Sequence, residues 1–196
     1  MKAFEEILEI VDRCLPKDEH GAFLAFHDGP GWKYDPETKT GTGKCPEMSD
    51  VVHDFLAFLA EQMLELNKQK QAELKRFLGW LEEQLSILSD SKGGRGIEAL
   101  SGKTRIQNYL GDYQKGEEPA AFPEILKVLL KNRSRIKANL SDSAFVRKLE
   151  KEYEKSLAIL LSIKERLAKT DWLIDQIVYR LYGLTEAEIA IVERQG

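Results

Sequence analysis

Residues 49–88 read SDVVHDFLAFLAEQMLELNKQKQAELKRFLGWLEEQLSIL, and this stretch decides the fold. Leu56, Leu59, Met63, Leu66, Leu74, Phe77, Leu81, Leu85 and Leu88 recur at spacings of three and four, with Lys70 the polar member of the series. That period is the signature of one apolar stripe on an α-helix. Most positions between them are Glu, Gln or Lys, as expected of a solvated face. Ser49 and Asp50 precede the stripe as residues that cap a helix start. The pattern predicts a helix of about 40 residues, roughly 60 Å long at the α-helical rise. Gly79 is a weak point inside it. A narrow stripe on so long a helix needs a partner along much of its length.

The partner lies near the C-terminus. From Ser141 or Asp142, Val146, Leu149, Tyr153, Leu157, Leu160, Ile163, Leu167, Ile174, Ile177 and Leu181 hold a second stripe of similar length. Asp171 is read as a kink. Gly183 stops the helix, and Thr185 with Glu188 forms a capping box for a short final helix. Two long amphipathic helices joined by a connector pack antiparallel most simply. The fold class expected is mainly α: an elongated antiparallel hairpin of two long helices, with smaller helices and a loop-rich N-terminal segment.

Outside the two stripes the chain is more broken. Phe4, Ile7, Leu8, Val11 and Leu15 predict a short amphipathic helix that Pro16 ends. Residues 16–48 hold Gly29-Pro30-Gly31, Pro36, Gly41-Thr42-Gly43 and Pro46, which are turn and breaker signals. Phe23 to Phe26 read as a short strand there, and Phe26, Trp32 and Tyr34 as anchors. Residues 89–121, which open with Ser89-Asp90-Ser91-Lys92-Gly93-Gly94-Arg95-Gly96, read as a flexible connector with a weak helix near 97–109. Phe122-Pro123 opens a helix expected to end in the basic run near Lys137. The domain division expected is residues 1–48, a short helix plus an acidic loop-rich segment, and 49–196, the helical hairpin.

Composition narrows the function classes. Residues 1–50 carry 6 basic and 11 acidic side chains, whereas the remainder carries 23 and 22, so bulk charge does not mark a nucleic-acid binder. Cys14 and Cys45 form no paired motif, which suits a reducing compartment. No signal-peptide core or membrane-length apolar run is present, so a cytoplasmic location away from membranes is expected. Thr40-Gly41-Thr42-Gly43-Lys44 has the spelling of a phosphate-loop ending but lacks the upstream Gly and the following Ser or Thr. His20, His27 and His53 show no metal-ligand spacing. Glu73-Leu74-Lys75 spells half of a nuclease motif, without the preceding Pro-Asp. No catalytic residue, metal site or cofactor is therefore expected.

One cluster stands apart from these chance spellings. Lys127, Lys131, Arg133, Arg135 and Lys137 fall within eleven residues that contain no acid. Such a run can contact phosphates. It can equally be a dipole-compensating helix end with a solvated face. Lys92, Arg95, Lys103 and Arg105 form a looser second group.

Two segments resemble a known family. Ile174-Asp175, Val178-Tyr179 and Leu181-Tyr182-Gly183-Leu184-Thr185, with Glu188, follow a pattern similar to the C-terminal helical region of adenine-specific DNA methyltransferases of the type IIG restriction–modification kind. Related phage-defence methylases and specificity subunits have similar tails. Ser49 to Met63 resembles the helix that follows target recognition in those large enzymes. The resemblance covers residues 49–88 and 141–194. The parent enzymes bind S-adenosylmethionine at a Gly-rich loop and hold the base with an Asn-Pro-Pro-Tyr type motif; this chain has neither. The resemblance thus implies a non-catalytic helical module that packs beside a methyltransferase or specificity domain or subunit and that contacts DNA. A free-standing regulatory or structural protein that forms a homo-oligomer through its stripes is the other reading.

Overall fold

The computed structural model describes residues 2–15, 33–35, 40–42, 48–91 and 93–195. The protein is mainly helical. In chain order come α1 (Lys2–Cys14), β1 (Lys33–Asp35), β2 (Thr40–Thr42), α2 (Ser49–Leu85), a 3₁₀ turn (Gly96–Ala99), α3 (Lys103–Gln107), α4 (Phe122–Lys131), α5 (Ser143–Tyr182) and α6 (Glu186–Gln195). β1 and β2 pair antiparallel with Tyr34 opposite Gly41. The strand expected at Phe23–Phe26 lies outside the described residues. These residues gather into two compact units, residues 64–168 and residues 1–63 with 169–196.

In the 64–168 unit the two long helices run antiparallel. Lys148 Nζ donates to Gln84 Oε1 (2.7 Å), Arg76 Nη1 to Glu152 Oε1 (2.6 Å) and Ser156 Oγ to Glu73 Oε1 (2.5 Å). Numbers rise on one helix as they fall on the other. The buried core joins Phe77, Leu81 and Leu85 of α2 to Leu149, Tyr153 and Leu160 of α5, and Ile125 and Leu129 of α4 close it. Full burial of each such side chain contributes about 1.5–3 kcal/mol before entropy is counted.

Much of the segment 89–121 after its Gly-rich opening packs into this core. Ile97, Leu100, Ile106, Tyr109, Leu110 and Ala120 are all buried in this core. The glycines of its first residues suggest a linker, but the apolar residues that follow at irregular spacing fill the groove beside the long helices. The expected helix near 97–109 divides into the 3₁₀ turn and α3. Gly111 explains part of the irregular path. Its φ is +71°, and a Cβ there would lie 2.7 Å from the Glu117 carbonyl oxygen. Gly79, by contrast, lies on an exposed helical face, and an alanine methyl there would meet nothing within 4 Å. Gly79→Ala is expected to raise stability by about 0.5–1 kcal/mol, and Gly111→Ala to lower it by more than that, roughly 2 kcal/mol. Thermal melts of the two variants check the opposite signs.

Each helix end has a local cause. α2 stops at Leu85 rather than Leu88, because Ser86 adopts a left-handed φ of 48° and Ile87 then bridges to Ile136. Asp142 caps α5: its Oδ1 accepts the Ala144 amide at 2.8 Å. The helical hydrogen bonding then continues through Asp171 to Tyr182. Gly183 ends it in a Schellman arrangement, with the Leu184 amide on the Tyr179 carbonyl and the Gly183 amide on that of Arg180. Thr185 and Glu188 then exchange the two capping-box bonds at 2.8 and 3.4 Å.

The other unit is built on α1, the first part of α2 and the last part of α5. Leu8, Val11, Leu15, Val52, Leu59, Leu173 and Ile177 form its buried core. Phe4 meets Trp172 edge-on at 5.9 Å. Arg180 Nε stands 3.1 Å from Asp12 Oδ1, close enough for an ion pair but poorly aligned for a hydrogen bond. No helix among the described residues is long and apolar enough to cross a membrane.

Candidate functional site

The cationic run is placed by α4 and the turn after it. Phe122 and Pro123 start α4, and the Glu124 carboxylate accepts the Ala121 amide at 3.0 Å, tying off the first turn. Phe122, Ile125 and Leu129 face the core. That orientation leaves Lys127 and Lys131, one turn apart, on the exposed side. The helix ends at Lys131, not near Lys137, because Asn132 turns inward.

Asn132 is only 6% exposed. Its Nδ2 donates to the carbonyls of Ser101 (2.9 Å) and Val128 (2.8 Å), while its Oδ1 accepts the Ser101 amide (2.9 Å). The side chain thus fastens the end of α4 to the turn that precedes α3. Four residues on, Ile136 is buried as well. Arg133 and Lys137 are consequently exposed on an irregular turn, whereas Arg135 is half-buried, with Nη1 3.5 Å from the Ser89 carbonyl oxygen.

The ion pairing of this unit separates its cations into two sets. Arg105 is held by Glu124 at 2.5 Å and Lys103 by Glu98. The Glu124 carboxyl titrates below its usual range, first through the Arg105 hydrogen bond, then through the Ala121 amide, with a smaller contribution from the charge of Lys127. Among the described residues, none of Lys127, Lys131, Arg133, Arg135 and Lys137 forms an ion pair with a carboxylate. The second basic group named from sequence is therefore partly neutralised, and the first is not. Arg95 is exposed near the start of the 3₁₀ turn, and Lys92 lies outside the described residues.

Of the remaining sequence candidates, only some lie among the described residues. Thr40 to Thr42 form β2, and His20, His27, Lys44 and Cys45 lie outside the described residues. His53 is exposed on the second turn of α2, and Cys14 is buried. Among the described residues no three His, Cys, Asp or Glu side chains group as metal ligands.

Glu73 proves to belong to an interior network that the sequence spelling did not reveal. Arg76 donates to both of its oxygens at 2.7 and 2.8 Å, and Ser156 donates to one of them. The single Ser156 hydroxyl proton is spent on Glu73, so the Tyr109 hydroxyl, 2.7 Å away, donates to Ser156. The Arg76 hydrogen bond is the main cause that holds the Glu73 carboxyl below its ordinary range, against the opposing effect of burial. Tyr153, whose hydroxyl donates to the Ala120 carbonyl, is pushed up to about 12 by burial. Ser156 and Tyr109 have no exposed surface, so these bonds tie the segment before α4 to α2 and α5. No family model, no curated protein and no solved structure matches the chain.

Proposed function

We propose that this chain is a non-catalytic helical binding module that contacts nucleic-acid phosphates through the turn from Lys127 to Lys137. The observation that carries the reading is electrostatic. These five side chains fall within eleven residues and none is in an ion pair among the described residues, while the neighbouring Lys103 and Arg105 are paired. Four of the five, all but the half-buried Arg135, are exposed, and exposed cations outside ion pairs keep their capacity to displace counterions from a polyphosphate. The sequence resemblance supports duplex DNA as that polyanion, with a methyltransferase or target-recognition domain as the protein neighbour. The long apolar-striped helices suit a rigid packing element beside such a domain. The absent Gly-rich loop and Asn-Pro-Pro-Tyr motif argue against S-adenosylmethionine binding by this chain.

With few phosphate contacts and an acidic whole-chain balance of −4, binding is expected to be weak, without sequence preference, and steeply lost as salt rises. A fluorescence titration with a labelled duplex at low salt tests it. Arg133→Glu with Arg135→Glu is expected to lower affinity by about 10-fold or more. Because Arg135 also reaches Ser89, the exposed pair Lys131→Glu with Arg133→Glu is the control, with the same expected loss. Circular dichroism should be unchanged in both. Affinity equal to that of the parent protein in both variants rejects the assignment and leaves a merely solvated helix end.

A further inference from the structure

One unit carries an open apolar groove, and the other an exposed leucine between two lysines. On the unit that contains α1, Ile7, Ile10, Val11, Val51, Val52 and Phe55 line a groove of about 240 Å³ between α1 and the start of α2. It is open: Ile10 is 51% and Val51 44% exposed. The exposed side chains beside it are mainly acidic, with Arg13, one turn after Ile10, a basic exception. Glu6 lies one turn before Ile10, Asp54 one turn after Val51, and both are exposed, as is Asp50. A groove with an apolar floor and mainly acidic edges fits an amphipathic helix whose apolar residue is flanked by cations.

α4 presents such a face. Leu130 is 45% exposed, a large apolar side chain left outside the core that Ile125 and Leu129 fill. Lys127 stands one turn before it and Lys131 directly after it, both exposed and in no ion pair among the described residues. We propose that α4 of one copy docks through Leu130 into the α1–α2 groove of a second copy, with Lys127 and Lys131 against Glu6, Asp50 and Asp54. The void holds a leucine side chain with room to spare, and burial of Leu130 and Ile10 supplies the apolar part of the contact. The charges select orientation and raise the encounter rate. Each copy has one knob and one groove, so the contact is heterologous. It stands independently of the nucleic-acid reading, but the two share Lys127 and Lys131. A polyphosphate therefore competes with the second copy.

Sedimentation velocity of the full chain at low salt, from about 1 to about 300 µM, tests the proposal. The mass is expected to rise with concentration and to fall back as salt is added. Leu130→Glu and Ile10→Glu, at exposed positions that leave the fold intact by circular dichroism, should each raise the apparent dissociation constant at least about 10-fold. Glu6→Lys with Asp54→Lys in one preparation, and Lys127→Glu with Lys131→Glu in another, should abolish self-association in each. Mixing the two preparations should restore it. A parent protein that stays monomeric throughout overturns the proposal, as does association that survives both apolar variants. Ile10→Glu keeps all five cations of α4 and its turn. Its duplex affinity is thus the measure by which failure of the nucleic-acid reading is told from failure of this one.

Discussion

Tyr109→Ala is expected to remove roughly 3–5 kcal/mol from the stability of the 64–168 unit. The ring has no exposed surface and packs at 5.0 Å from Phe77 and 5.4 Å from Tyr153, measured between ring centroids. Alanine leaves a cavity among aromatic side chains that cannot collapse without disturbing α2 and α5 together. Tyr109→Phe keeps the ring and removes only the donor to Ser156, so its cost should be nearer 1 kcal/mol. Urea unfolding of the three proteins gives both numbers. A Tyr109→Ala midpoint equal to that of the parent would mean that residues 89–121 are a linker after all, because a linker residue has no core to lose.

Glu73 gives the second large effect, and it is pH-dependent. Its side chain is 11% exposed and joins α2 to α5 through Ser156, while Arg76 links it to Glu152. Glu73→Ala strands the buried Ser156 hydroxyl but leaves Arg76, which is 40% exposed, partly solvated and still paired with Glu152. A loss of about 2–3 kcal/mol is expected on those grounds. The folded-state pKa of Glu73 is lowered. Its contribution is therefore complete above the unfolded carboxylate range, near pH 4.5, and fades as pH falls through the lower folded value. Melting temperatures measured down this range should drop less steeply for Glu73→Gln than for the parent. Parallel curves would show that other carboxylates carry the acid sensitivity.

The parts legible in sequence are those governed by a single repeating rule. The spacing of Leu59, Leu66, Phe77 and Leu81, and of Leu149, Leu160 and Ile177, marks the buried stripes of α2 and α5, and all of these side chains are buried. The Gly183 stop and the Thr185–Glu188 box are equally readable, because both are local hydrogen-bond patterns with fixed offsets. Residues 89–121 are not. Their order comes from long-range contacts, such as Tyr109 with Ser156 and Glu82 Oε1 with the Ile97 amide at 2.8 Å, which no periodicity announces. The cationic run is visible as composition, but its shape is not. Nothing in Lys131-Asn132-Arg133 says that the asparagine is the inward member, since an asparagine between two cations ordinarily faces water.

That inward turn at Asn132 also limits how this surface can be engineered. A run of seven residues from Lys131 to Lys137 looks like free ground for adding charge, yet positions 132 and 136 are closed to it. One holds the knot to Ser101 and the other fills the core. Ser134 is the exposed uncharged position that remains within the run, so a sixth cation can be grafted there without untying the turn. A protein engineer who wants a stronger polyanion grip has one vacant seat on this turn, and further gains must come from the helix face before it.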